Sequence, residues 1–152
     1  MNKSLSPEEI KKEEKRLYEE YKAKLSELKK VKKEQEAVGS IFTKGLLPIY
    51  VLYILSKQPT NGNDISNKIG ERTKGLWTPS TGGIYPLLKK LEKEGLVEGR
   101  WDNPKKKVQK IYVLTKLGEE EFNHRKELLK DKMLESLQVF NIVYEDLYNN
   151  IE

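Results

Sequence analysis

The chain has 152 residues, of which 36% are hydrophobic and 35% charged, a balance that suits one small core with long solvated helices rather than two full domains. With no cysteine and a single histidine, His124, a disulfide framework and a cysteine-based zinc site are excluded, and most catalytic or metal constellations lack ligands. The net charge of +5 is unevenly placed: +2 over residues 1–38, +7 over 39–115 and −4 over 116–152, so the middle is a basic block suited to a polyanion such as nucleic acid.

The first expected helix opens with Ser6 as N-cap, Pro7 at its first position and Glu9 closing a capping box, with Leu5 and Ile10 placed as a hydrophobic staple. Helical pattern continues to about Val38. Tyr18, Tyr21, Leu25, Leu28, Val31, Gln35 and Val38 form a thin seam at three- and four-residue spacing. Such a helix is marginal alone and should pack on something. Gly39 and Ser40 are expected to break it. An apolar run from Gly45 to Ser56 then reads as a buried core helix, with Pro48 tolerated in its first turn. Residues 58–62 read as a turn, and Asn63 to about Arg72 as a short helix.

Residues 74–79 are a connector. Ser80 should cap a helix from Thr81 to about Glu94, with Leu87, Leu88 and Leu91 inward and Gly95 as its terminating glycine. Residues 96–101 and 108–114 read as strands of a hairpin whose tip, Asp102 to Lys107, is basic. Thr115 should cap a last helix reaching about Asn149, with Leu129, Met133, Leu137, Phe140, Tyr144, Leu147 and Ile151 as its apolar stripe. The expected organisation is an N-terminal helical extension (1–38), a central domain (39–115) and a C-terminal dimerisation helix (116–152).

Three short helices followed by a hairpin is the winged helix-turn-helix order, a mainly α fold with a small β-hairpin, here with long N- and C-terminal helices. In that arrangement the third helix enters the major groove and the hairpin tip touches the neighbouring backbone or minor groove. The residues expected at DNA are Ser80, Thr81, Gly82 and Tyr85 at the start of that helix, Lys89 and Lys90 along it, and Lys105, Lys106 and Lys107 on the wing. Each has a plainer reading. Thr81 could serve as a cap residue, Tyr85 as core, and Lys89, Lys90 and Lys93 as solvated charge offset by Glu92 and Glu94. Trp77 and Trp101 read as packing residues around the connector and wing base, and His124 as exposed.

The segment Ser80-Thr81-Gly82-Gly83-Ile84-Tyr85-Pro86-Leu87-Leu88-Lys89-Lys90-Leu91-Glu92-Lys93-Glu94-Gly95 resembles the recognition-helix pattern of the PadR-like transcriptional regulators. Lys110-Ile111-Tyr112-Val113-Leu114-Thr115-Lys116-Leu117-Gly118 resembles that family's exit from the wing, and the resemblance covers about residues 42–122. The chain departs from the pattern at Asn61-Gly62-Asn63-Asp64-Ile65, where the family usually has Tyr-Gly-Tyr-Glu-Ile. It departs again at Gly83, where the family often has Thr, and in its N-terminal extension. The resemblance implies a homodimer formed through the C-terminal helix on a near-palindromic operator in double-stranded DNA. It also implies a repressor that a small hydrophobic or aromatic effector releases. No cofactor is expected.

The sequence leaves a second class open, a winged-helix protein-interaction scaffold without specific DNA binding, motivated by the two thin seams. An enzyme is disfavoured: no Gly-x-x-x-x-Gly-Lys-Ser/Thr, His-Glu-x-x-His or Gly-x-Ser-x-Gly pattern occurs. No stretch reaches the roughly 20 apolar residues of a membrane span. The polar N-terminus lacks a signal-peptide core, so the expected location is cytoplasmic.

Overall fold

The structure is a computed structural model that describes residues 4–149, with the side chains of 35–42 outside the description. Gln35, Val38 and Ile151, expected on the apolar seams, therefore lie outside the described side chains. The elements are α1 (Pro7–Lys57), α2 (Gly62–Arg72), α3 (Thr81–Lys93), β1 (Val97–Trp101), β2 (Lys110–Leu114) and α4 (Lys116–Tyr144), which ends in a π-helical turn over Glu145–Asn149. The chain divides into two units at residues 41 and 42.

The first unit holds the N-terminal part of α1. Its capping box closes as expected: Ser6 N–H donates to Glu9 Oε2 at 2.9 Å and Glu9 N–H to Ser6 Oγ at 3.2 Å. Leu17, Tyr18, Tyr21, Leu28 and Val31 are all exposed. The surface is held in register by i,i+3 and i,i+4 pairs such as Arg16 with Glu13 and Glu20.

Two expectations about α1 are corrected. The helical backbone runs through Gly39 and Ser40, and Pro48 lies deep inside the helix rather than in a first turn. A lone helical glycine costs only about 1 kcal/mol relative to alanine, and here neither a left-handed glycine nor a following proline accompanies it to end the helix. Pro48 forfeits one backbone hydrogen bond. Five residues of the same element, Leu47, Val51, Leu52, Ile54 and Leu55, are buried and hold it in place.

The second unit carries the core. Leu47, Val51, Leu52, Ile54 and Leu55 of α1 pack with Ile65 and Ile69 of α2, Ile84, Leu88 and Leu91 of α3, Val97 and Tyr112 of the hairpin and Phe122 of α4. At about 25 cal/mol per Å² of apolar surface, this burial is what orders the short helices α2 and α3, which would not persist alone. Helix α2 starts one residue earlier than the pattern suggests. The Asn61 side chain caps it by accepting Asp64 N–H at 2.8 Å. Asp64 in turn accepts Thr60 Oγ1–H at 2.6 Å and pairs with Lys68 at 3.0 Å. The Thr60 hydrogen bond, then Lys68, hold its carboxyl below the usual range.

Strands β1 and β2 pair antiparallel, Val97 opposite Leu114 through Trp101 opposite Lys110. Thr60 adds a short third edge by exchanging both backbone hydrogen bonds with Tyr112. Trp77 is buried and stacks on Tyr50 at 6.1 Å, while Tyr50 stacks on Tyr53 at 5.5 Å. Among the described residues, no helix is long and apolar enough to cross a membrane and no cluster of potential ligands could hold a metal ion.

Candidate nucleic-acid interface

Helix α3 buries Ile84, Leu88 and Leu91, residues four and seven apart, and this spacing turns the opposite face outward. Ser80 takes the N-cap position with extended backbone and makes no side-chain cap hydrogen bond. Its carbonyl accepts Gly83 and Ile84 N–H, so the hydroxyl is left over at the helix entrance. Ser80, Thr81 and Gly82 are exposed. The first turn of α3 contains no acidic residue, whereas α1, α2 and α4 each carry one there. The positive end of this helix dipole is thus uncompensated, the condition that favours an anion.

Tyr85, one turn on, is 42% exposed. It is neither core nor free, because its ring lies close against Gly62 of α2. A methyl group on Gly62 would come within 2.7 Å of Tyr85 Cε1. Gly62 is therefore the residue that lets the ring approach α2 this closely while Tyr85 stays partly exposed. Lys89 and Lys90 are exposed on the next turn.

The wing tip is an ordered turn. Asn103 Oδ1 accepts the N–H groups of Lys105 (2.9 Å) and Lys106 (3.3 Å), and its carbonyl accepts Lys107 N–H at 2.9 Å. Lys107 sits at φ 47°, the left-handed region unfavourable to a residue with a side chain. All three lysines point to solvent.

Among the described residues, Lys89, Lys90, Lys93, Lys105, Lys106 and Lys107 make no ion pair. The plainer sequence reading has Glu92 and Glu94 offset Lys89, Lys90 and Lys93, and the structure gives these acids other partners. Glu92 is engaged by Lys110 (3.2 Å) and Glu94 by Arg125 (3.8 Å). Both acids are spent on partners far along the chain, which leaves the lysines of α3 uncompensated. Sequence reasoning missed these pairings and the Tyr85–Gly62 contact. Trp101 is 41% exposed, with Lys110 Nζ 5.8 Å from its ring centroid.

On α4, Leu129 is half-buried, whereas Met133, Leu137, Phe140, Tyr144 and Leu147 are all exposed, joined by Leu134, Val139, Ile142, Val143 and Tyr148. His124 is exposed.

The sequence profile of the transcriptional regulator PadR-like family matches residues 51–124, from the last two turns of α1 to the first turns of α4. A PadR-like transcriptional regulator from Bacillus cereus is 30% identical over an alignment covering 67% of this chain and 95% of that one, with a TM-score of 0.52. The chain belongs to the PadR-like family of transcriptional regulators. A transcriptional regulator from Clostridium thermocellum, 18% identical with a TM-score of 0.53 over 73% of this chain and 98% of that one, shares the fold. The transcriptional regulator YqjI of Escherichia coli is 36% identical over 66 residues, which are 43% of this chain and 32% of YqjI. The match thus spans about a third of that relative's length. PadR-like proteins are regulators of transcription rather than enzymes. The N-terminal part of α1 lies outside the region that the family profile matches.

Proposed function

We propose that this PadR-family chain binds double-stranded DNA sequence-specifically as a homodimer on a near-palindromic operator and acts as a repressor. The observation that carries the reading is the pairing of an anion-ready α3 entrance, Ser80, Thr81, Gly82 and Tyr85, with six lysines on α3 and the wing that make no ion pair among the described residues. Small groups at a helix entrance fit close to base edges and phosphates. Adjacent lysines at a hairpin tip contribute little to folding and much to phosphate affinity.

Fluorescence anisotropy against the DNA upstream of its own gene and a scrambled control, at two salt concentrations, tests this. Selective binding that weakens with salt is expected. Equal weak binding to both would leave a basic surface only and favour the scaffold reading.

The stripe from Met133 to Tyr148 supports the dimer, since soluble chains seldom leave so much contiguous apolar surface uncovered. A Leu137→Asp, Phe140→Asp variant should sediment as a monomer and melt like the parent in its winged helix. It should bind operator DNA at least tenfold more weakly, because each half-site then binds alone. A variant that stays dimeric would show that α4 is not the interface.

An open groove of about 260 Å³, lined by Pro48, Ile49, Leu128 and Leu129 with Arg125 and Lys132 beside them, supports a small apolar or aromatic effector carrying negative charge.

A further inference from the structure

Glu92 stands at the last turn of α3, next to buried Leu91, with its carboxylate divided between the two strands of the wing. Oε2 accepts the Gly99 N–H of β1 at 2.9 Å, and Oε1 pairs with Lys110 Nζ of β2 at 3.2 Å. Lys110 is directed there from the far side too, its ammonium 5.5 Å from the Tyr112 ring centroid and 5.8 Å from that of Trp101. Gly99 is part of the same fit. A methyl group there would meet both Glu92 Oε2 and Lys110 Cε, so these side-chain ends would have to shift out of the staple to make room for it.

We infer that Glu92 is a positioning residue for DNA binding: it locks the wing to the recognition helix, so that the lysines at the hairpin tip meet the DNA in a fixed register with α3. This role rests on the DNA-binding reading above. The short link from α3 to β1 and the buried Val97 and Tyr112 anchor the base of the hairpin. The Glu92 bonds grip it further out, at Gly99. The tip begins at Asp102, three residues beyond Gly99, roughly 10 Å at about 3.3 Å per strand residue. A tilt of about 15° about the hairpin base moves such a tip by roughly 3 Å, the length of one hydrogen bond. A loosened wing would therefore keep its charge and its fold but lose its aim.

The test compares the full-length chain with Glu92→Ala, Gly99→Ala and Glu92→Gln, each in two backgrounds. One is the natural wing and the other is Lys105→Ala, Lys106→Ala, Lys107→Gly. Affinity for the upstream DNA is read across a salt series and folding by circular dichroism. With the natural wing, Glu92→Ala and Gly99→Ala should each weaken binding five- to tenfold and flatten its salt dependence. Glu92→Gln, whose amide oxygen still accepts the Gly99 N–H, should recover most of the loss. In the wing-depleted background all three should match their parent, because the staple acts through those lysines.

An equal loss in both backgrounds would mark Glu92 as merely structural, and no loss in either would remove the role altogether. A parent chain that bound no DNA would overturn the DNA-binding reading and the positioning role with it. The staple is read separately by NMR: the Gly99 amide proton, bonded to Glu92 Oε2, should lie downfield and move upfield in Glu92→Ala. A Gly99 amide indifferent to that substitution would overturn the staple itself.

Discussion

Replacing Gly118 by alanine is expected to destabilise the winged helix by about 3 kcal/mol, the upper end of the usual cost of overpacking, because the nearest atom it meets is backbone and cannot step aside. Gly118 is buried in the first turn of α4. A methyl group there would run into the carbonyl oxygen and carbon of Leu96 and come within 2.7 Å of Leu114 Cδ1. The Leu96 carbonyl is already committed, because it accepts Thr115 N–H at 3.1 Å. Thr115 ties the same joint twice more. Its hydroxyl donates to the Gly95 carbonyl at 2.7 Å and accepts Gly118 N–H at 3.0 Å as the cap of α4. The exit of α3, the start of β1 and the start of α4 thus meet at one point, and pushing Leu96 away pulls on all three. With roughly 4 °C or more lost per kcal/mol in a domain of about 100 residues, the melting temperature should fall by at least about 12 °C. Gly45→Ala is the control. It is helical and exposed and has nothing within 4 Å of the new methyl, so it should leave stability unchanged or raise it by up to about 1 kcal/mol. A Gly118→Ala protein melting within 2–3 °C of the parent would show that the joint yields.

What can be read from one sequence here follows the range of the interaction. The Ser6–Glu9 box and the Thr115 cap are written within four residues, and both close as read. Gly95 ends α3 with φ +77° and Leu96 N–H returning to Leu91, as a terminating glycine should. The hairpin follows from two β-rich runs with a basic turn between them. The failures at Gly39, Ser40 and Pro48 have the opposite cause. Local propensity at those positions is worth a few kcal/mol at most, and burial of Leu47, Val51, Leu52 and Leu55 decides the matter. Asn61 illustrates a smaller miss: it looks like a turn residue and is also a helix cap, two roles with the same chemistry.

At the candidate site the exposed residues were legible, but the uses of the acids were not. Glu92 and Glu94 stand among lysines in sequence, so charge pattern alone pairs them locally. In the fold they reach Lys110 and Arg125, 18 and 31 positions on. Tyr85 shows the same limit, since nothing local says that its ring will rest on Gly62. The consequence is that the basic character of the α3 face is greater than its composition suggests, which bears directly on how the wing and helix share the task of holding DNA.

Removing the wing lysines separates that binding task from folding. In the Lys105→Ala, Lys106→Ala, Lys107→Gly protein, three charges disappear from positions that make no ion pair among the described residues. The turn itself survives, because its hydrogen bonds run from Asn103 to backbone N–H groups that any of these residues supplies. Glycine at 107 also suits the left-handed φ of 47° better than lysine, so stability should hold or rise by up to about 1 kcal/mol. Binding should move the other way. If each lysine neutralises one phosphate, the slope of log affinity against log salt should flatten by about 2.7, at about 0.9 per contact, and affinity near 0.1 M salt should drop roughly a hundredfold. Anisotropy over a salt series reads both quantities from one titration. A protein that melts no lower than the parent yet loses both slope and affinity places the wing on the DNA backbone. An unchanged slope would mean that the tip faces solvent in the complex, leaving the lysines of α3 to carry the electrostatic attraction alone.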